Sequence, residues 1–409
     1  MRRLPSAAWL HVAGFALLAA AWAASAQPPT PKVMMPAPGK PLVLDAGRKK
    51  LSVSLVTGGL VAPWDIAFVP GTDDILVTES NGNLRIVEHG VLKPTPVWTS
   101  PSPTRNDVLH GLVLHPDFAS NHYVYASYMK GDDQKQTLAV SRGKLEGGKL
   151  KDVREIFVAD AWENAGMAIA GRMLFGPDKT LYVTVGDRDA LCCGPKDDNS
   201  IRMRAQSLDN DVGKILRLTD DGGIPKDNPF VGRKDARPEI FSYGHRNGYG
   251  LAFHPETGEL WELEIGPMGG DEINILEPGA NYGWPLVSMG RNYSGTLVSD
   301  QPFSRPGMVD PRMFWVPAIS PSGLMFYTGD KFPDWKNNVL VGALTGQELV
   351  RIAFNQPGQA ERREALLHEM GLRFRDVEQG PDGYIYASTE VRYGSGQPDG
   401  AILKIEPAD

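Results

Sequence analysis

Six times along this chain an apolar strand runs into a turn built on Pro, Asp or Gly and returns as a second strand rich in Val, Tyr and Thr. Trp64 to Pro70 leads to Ile75 to Glu79, and Gly111 to Asp117 leads to Tyr123 to Tyr128. Gly171 to Asp178 leads to Leu181 to Asp187, and Gly250 to Pro255 leads to Glu259 to Glu262. Ser322 to Tyr327 leads to Val339 to Ala343, and Arg375 to Gly383 leads to Tyr384 to Thr389. The copies start roughly 45 to 80 residues apart, a period that suits three or four strands each. Several close with a further strand, as at Leu84 to Val87, Lys214 to Leu218 and Ile402 to Ile405. Repeats of this kind are propeller blades, and six of them close a ring that leaves few sheet edges bare. The reading is an all-β, six-bladed β-propeller over residues 50–409, with a pair of β-sandwiches as the alternative. No long helical periodicity competes.

What precedes the repeats reads as export machinery. Arg2 and Arg3, the apolar run Ala13 to Ala24 and the small residues Ala24-Ser25-Ala26 form a signal peptide over 1–26. A proline-rich linker follows over 27–49. The apolar run is too short for a membrane span, so a periplasmic or secreted protein without a span after cleavage is expected. A formal net charge of −7 with both signs interspersed excludes a nucleic-acid partner, which needs a concentrated basic face. The two cysteines, Cys192 and Cys193, are adjacent, so disulfides do not frame the fold; a ring between the pair would stiffen one turn. The long segments 188–212 and 289–314 are expected to wall or lid one end of the channel.

The stretch from Tyr243 to Pro285 gathers a basic side chain, an amide, a Gly-Pro turn and an acidic pair between short β runs. Its landmarks are His245-Arg246-Asn247, Gly266-Pro267, Asp271-Glu272-Ile273-Asn274 and Asn281-Tyr282-Gly283-Trp284-Pro285. With His115-Pro116-Asp117-Phe118, Gly176-Pro177-Asp178, the run Ile224 to Pro229 and Arg373-Phe374-Arg375-Asp376, the chain resembles the soluble quinoprotein glucose and aldose sugar dehydrogenases from about Leu55 to Glu406. That resemblance implies pyrroloquinoline quinone on the channel mouth and a calcium ion held by the carbonyls of Gly266 and Pro267. It also places Arg246 and Asn247 beside the quinone carbonyls, and Asn106, Thr345, Arg373 and Arg375 against the cofactor. An arginine suits developing negative charge, and a guanidinium fork suits a carboxylate.

Five positions depart from the family pattern. The base histidine falls on Ala168, its polar predecessor on Met167, the residue before Gly-Pro on Ile265, a cofactor lysine on Thr345, and a glutamine on Asn106. Oxidation of an anomeric hydroxyl needs a proton acceptor, which alanine is not. No histidine lies between 123 and 244. His110, four residues after Asn106, is the candidate replacement: alternation along an inner strand would put both on one face, toward the same mouth. Asp187 and Glu264 are carboxylate alternatives. His115 and His254 read as turn supports. Trp64, Trp261, Trp284 and Trp315 read as fillers between blades, with Trp284 or Trp315 alternatively a stacking surface. The expected function is oxidation of a small-molecule aldose or alcohol. A hydrolase, lyase or isomerase on the same ring, or a non-catalytic sugar binder, stays open. The sequence names no electron acceptor and is compatible with a monomer or a homodimer.

Overall fold

The structure, a computed structural model, describes residues 33–47, 49–102, 108–132, 134–163, 169–189, 199–354, 361–392 and 395–408. The expected signal peptide and Cys192 and Cys193 lie outside them. The chain divides into the units Met1–Val33 and Met34–Asp409, and the fold is that of the second. It comprises six antiparallel sheets, each a blade. Their inner strands are Pro63–Phe68, Leu109–Leu114, Ala170–Phe175, Gly248–Phe253, Pro321–Phe326 and Arg373–Gln379 for blades 1 to 6. Each inner strand packs beside the next, and the sixth returns to the first. Among the described residues, α-helix is confined to single turns, Phe118–Asn121 and Asn199–Arg202, and none is long and apolar enough to cross a membrane.

The second strands, Ile75–Glu79, Leu181–Val185, Leu260–Glu264 and Val339–Ala343, are buried at every residue. A blade in a ring is covered on both faces, so its middle strands are buried along their whole length, the polar Thr78, Glu79, Thr184, Glu262 and Glu264 included. The core is correspondingly distributed between neighbours. Leu76, Leu84 and Ile86 of blade 1 pack with Leu112, Val124 and Tyr128 of blade 2. Trp261 and Leu263 of blade 4 pack with Leu324, Phe326 and Val341 of blade 5. At the axis the inner strands crowd so closely that a Cβ on Gly111 would stand 2.1 Å from the Gly171 carbonyl oxygen.

The last blade is completed from the front of the chain. Lys49–Leu60 pairs antiparallel with Gly400–Ala408, from Lys50 opposite Ala408 to Leu60 opposite Gly400. Leu42–Ala46 adds a fifth, outermost strand by pairing with Lys49–Leu60. The end of the segment expected as linker is therefore part of the sheet: Val43 and Asp45 face outward while Ala46 is buried, an edge-strand pattern that proline content upstream obscures.

A single guanidinium occupies the axis. Arg172 of blade 3 lies 2.8 Å from Asp65 of blade 1 and 3.0 Å from Asp376 of blade 6, and its Nε donates to the Tyr249 carbonyl of blade 4. Asp65 accepts the Leu112 amide of blade 2, and Asp376 accepts the Ile66 amide. Burial pushes the Asp65 carboxyl up, Arg172 pulls it down, and Asp376 pushes it up again, leaving it well above the usual carboxylate range. Below this cluster a cavity of about 250 Å³ is lined by Phe68, Leu114, Leu174, Leu251, Leu324 and Glu378. Arg172→Met leaves two buried carboxyls without their cation and is expected to lower unfolding stability by about 3–5 kcal/mol. Urea denaturation followed by tryptophan fluorescence measures it.

Candidate functional site

In every blade the inner strand begins where the second strand ends, so both present residues at the same mouth of the ring. Gly248 stands opposite Glu264, Arg373 opposite Glu390, Pro321 opposite Ala343 and Pro63 opposite Glu79. Arg246 and Asn247 immediately precede the inner strand of blade 4, and Gly266 and Pro267 follow its second strand. Thr345 follows the second strand of blade 5, and Arg373 opens the inner strand of blade 6. Topology alone thus brings the anticipated groups to one rim.

Hydrogen bonds then join them into an arc across blades 4, 5 and 6. Arg246 Nη1 donates to the carbonyls of Ile265, at 2.7 Å, and Gly266, at 2.8 Å. The Gly266 amide donates to Asp271 Oδ1, and Asp271 Oδ2 accepts the amides of Ile319 and Ser320. Thr345, exposed at the rim, donates its hydroxyl to Ser320 Oγ. Arg373 Nη1 donates to the neighbouring Leu344 carbonyl. Arg373 Nε and Arg375 Nη2 both lie 2.9 Å from Glu390 Oε1. The two guanidinium groups reach one carboxylate across a bulge, where the register with the second strand shifts between Phe374 and Asp376. Burial pushes Glu390 up, but Arg375 and Arg373 outweigh it and hold its carboxyl below the usual value.

The other flank of Arg246 belongs to blade 3. Its carbonyl accepts the Asp187 amide at 2.7 Å, and its guanidinium lies 5.4 Å from the Trp284 ring. Trp284 Nε1 donates to Asp187 Oδ2 at 2.8 Å. Asp187 is fully buried, and burial, opposed by the Arg246 charge, pushes its carboxyl up to about 6. Also over the Trp284 ring, at 5.5 Å, lies Arg202, which pairs with Asp189 at 2.9 Å and donates to Asn292 Oδ1. Arg202 comes from the 188–212 segment and Asn292 from the 289–314 segment, so both insertions are tied to the site rather than hanging over it. Trp284, 4% exposed beside two guanidinium groups, and Trp315, 7% exposed, are packed within the protein rather than presented as stacking surfaces.

His110 stands at the expected end of blade 2 but is fully enclosed. Its ring stacks on Trp64 at 5.2 Å, and Nδ1 donates to the Ala170 carbonyl at 2.6 Å. The alternation on which its orientation toward the mouth rested is interrupted there, since the register shifts between Leu109 and Leu112. Asn106, Met167 and Ala168 lie outside the described residues. His115 and His254 accept backbone amides of their own turns, from Asp117 and from Glu256 and Thr257.

The sequence reading missed Glu390, Asp271 as the buried anchor of the Gly-Pro turn, and Arg202. For Glu390 a signal existed: the repeat register places Glu79, Glu264 and Glu390 at equivalent second-strand ends. For Arg202, in a non-repeating insertion, no such register applies.

These residues accommodate an anionic, carbonyl-bearing cofactor in several respects. Two guanidinium groups face one carboxylate at Glu390, a net positive pair. Asn247 Oδ1 and Arg246 Nε are buried without hydrogen-bond partners. The Gly-Pro turn suits a cation less simply, because its Gly266 carbonyl already accepts from Arg246. A cation there is balanced only together with carboxylates from a ligand.

The family described as Glucose / Sorbosone dehydrogenase matches residues 60–403. An aldose sugar dehydrogenase of Escherichia coli is 36% identical over 363 residues, covering 87% of this chain and 93% of that one. Quinoprotein glucose dehydrogenase B of Acinetobacter calcoaceticus is 27% identical over 361 residues, covering 72% and 75%. Among solved structures, the apo-form of the soluble Escherichia coli aldose sugar dehydrogenase superposes with a TM-score of 0.76 at 35% identity, covering 88% of this chain and 100% of that one. The PQQ-bound form of an aldose sugar dehydrogenase from Streptomyces coelicolor gives 0.65 at 28%, covering 90% and 99%. A six-bladed ring, the gathered arginines and this breadth of similarity lead to one assignment: the chain belongs to the glucose/sorbosone dehydrogenase family.

Proposed function

We propose that the protein is an exported dehydrogenase that oxidises an aldose at its anomeric carbon with pyrroloquinoline quinone and calcium. The observation that carries this reading is the continuous arc from Arg246 through the Gly266 turn to Arg373 and Arg375. In it, Arg373 and Arg375 hold cofactor carboxylates, with Thr345 and Asn106 beside them. Arg246 and Asn247 face the quinone carbonyls, and the carbonyls of Gly266 and Pro267 hold the cation. When bound, the quinone supplies the acceptor for the hydride that leaves the sugar carbon.

The protein's own task is to take the hydroxyl proton as that carbon becomes a lactone carbonyl. With alanine at 168, Asp187 is assigned this role: it is as buried as His110, but its carboxyl interacts with Arg246, whereas the His110 ring is held by the Ala170 carbonyl. A value near 6 leaves the Asp187 carboxyl ionised at neutral pH yet basic enough to accept a proton. Trp284 Nε1 fixes one oxygen, so the carboxylate keeps its orientation.

Titration of the purified protein with the quinone in calcium, followed by absorbance, together with dye reduction by a panel of aldoses, tests the reading. Saturable one-to-one binding with dye reduction is expected, and absence of quinone binding defeats it. Arg373→Ala removes a charge-assisted contact and is expected to weaken quinone binding roughly 10- to 100-fold. Asp187→Asn keeps the bond from Trp284 but cannot accept a proton, so kcat is expected to fall about 10²–10⁴-fold with quinone affinity little changed. Because Asp187 acts in its ionised form, kcat of the unaltered protein is expected to decline as pH falls through about 6. A pH–rate profile shows that limb, and its persistence in Asp187→Asn would rule the assignment out.

A further inference from the structure

Directly behind Arg246, blade 4 carries a second cluster that the proposed oxidation does not use. Glu262 and Glu264 alternate on its second strand, opposite Asn274 and Glu272, so their side chains share one face. His245 reaches the same place from the connection to blade 3. One donor atom from each of His245, Glu262 and Glu264 lies within 4.8 Å of the other two. The three residues are 1%, 0% and 3% exposed.

The hydrogen bonding around them is incomplete in one sense only: acceptors outnumber donors. His245 Nε2 pairs with Ser242 Oγ at 2.8 Å. In the tautomer whose Nε2 donates to Ser242, His245 Nδ1 presents a lone pair; it lies 3.0 Å from Glu262 Oε2 without hydrogen-bond geometry. Asn274 Nδ2 is shared between Glu262 Oε2 and Glu264 Oε1, at 3.1 and 3.3 Å. Glu264 Oε2 accepts the Arg246 amide at 2.6 Å. Glu262 Oε1 and Asn274 Oδ1 are buried and have no donor at all. The Arg246 guanidinium is turned to the Ile265 and Gly266 carbonyls instead.

Two buried carboxyls, one of them with an orphaned oxygen, an imidazole nitrogen and the orphaned Asn274 oxygen form a surplus of acceptors that a proton donor answers one atom at a time and a cation answers together. Tetrahedral ligand atoms at ordinary Zn–N and Zn–O lengths stand about 3.4 Å apart, and His245 Nδ1 and Glu262 Oε2 already lie 3.0 Å from each other. Mixed imidazole and carboxylate donors select a first-row divalent ion over calcium, which prefers oxygen throughout. Room has been kept for the arrangement: a Cβ on Gly248 would stand 2.6 Å from Glu262 Oε1.

We propose that His245, Glu262 and Glu264 bind a divalent transition-metal ion of the zinc class, separate from the Gly266–Pro267 turn. The ion fixes Glu264 and, through the Arg246 amide, positions the arginine that faces the mouth. Its role is positioning, with no contact to substrate.

The experiment uses the full chain without quinone, so its outcome is independent of the oxidation chemistry. Every arm carries His89→Ala, which removes the exposed Asp73–Asp74–His89 group as a competing donor set. Protein stripped by chelator is dialysed against Zn²⁺ and its metal content measured; one retained equivalent is expected. Glu262→Gln, of equal size and checked for folding by circular dichroism, is expected to weaken that equivalent by more than about 100-fold. Co²⁺ loading of the unaltered cluster is expected to give visible ligand-field bands, a readout that needs no variant at the site. No retained equivalent, or equal Zn²⁺ affinity in Glu262→Gln and its parent, overturns the proposal.

Discussion

One guanidinium holds the ring together. Arg172 contacts carboxylates from blades 1 and 6 and a carbonyl from blade 4, and its two carboxylate partners accept amides from blades 1 and 2. Blade 5 meets the same cluster through Gly323, where a Cβ would stand 2.7 Å from Asp376 Oδ1 and φ is +74°. Six sheets that share no hydrogen-bonded ladder at the axis are thereby tied through a single charged hub. A buried hub of this kind contributes less through net stability than through geometry: any one partner displaced leaves a charge exposed to low dielectric. The radial positions of all inner strands, and with them the groups at the mouth, follow from this constraint.

The mouth itself is organised by charge rather than by shape. Carboxylates recur at second-strand ends, and each is put to a different use by its neighbours. Glu79 accepts the Val61 amide and pairs with Arg85. Glu264 accepts the Arg246 amide, and Glu390 sits between two arginines. The same register position therefore yields a structural acceptor, a support for a functional arginine and a counter-charge, depending on which basic residue the adjoining strands and turns deliver.

This division explains what the chain's letters disclose. Turn residues and short apolar runs, as at Ile75 to Val77, mark the blades because ring packing imposes the same demands six times. The motif from Tyr243 to Pro285 discloses the rim because strand ends and the Gly-Pro turn are local. The chain's six repeats do not disclose which blade is left incomplete, since the pairing of Lys49–Leu60 with Gly400–Ala408 spans nearly the whole chain. Nor do they reveal the enclosure of His110, which depends on Trp64 from one neighbour and Ala170 from the other. Period-two reasoning failed there because a bulge in the inner strand resets the alternation.

The seam between front and rear strands in blade 6 has a kinetic meaning. Its pairing joins residues from Lys50 to Ala408, contacts of the longest loop-closure distance the fold contains, and such contacts form late. During synthesis, five blades can assemble while the sixth waits for its final strand. Until then Lys49–Leu60 is an unmated edge, able to pair with the rear strand of a neighbouring chain as readily as with its own. The joint that seals the monomer is thus also the place where two incomplete copies would exchange strands.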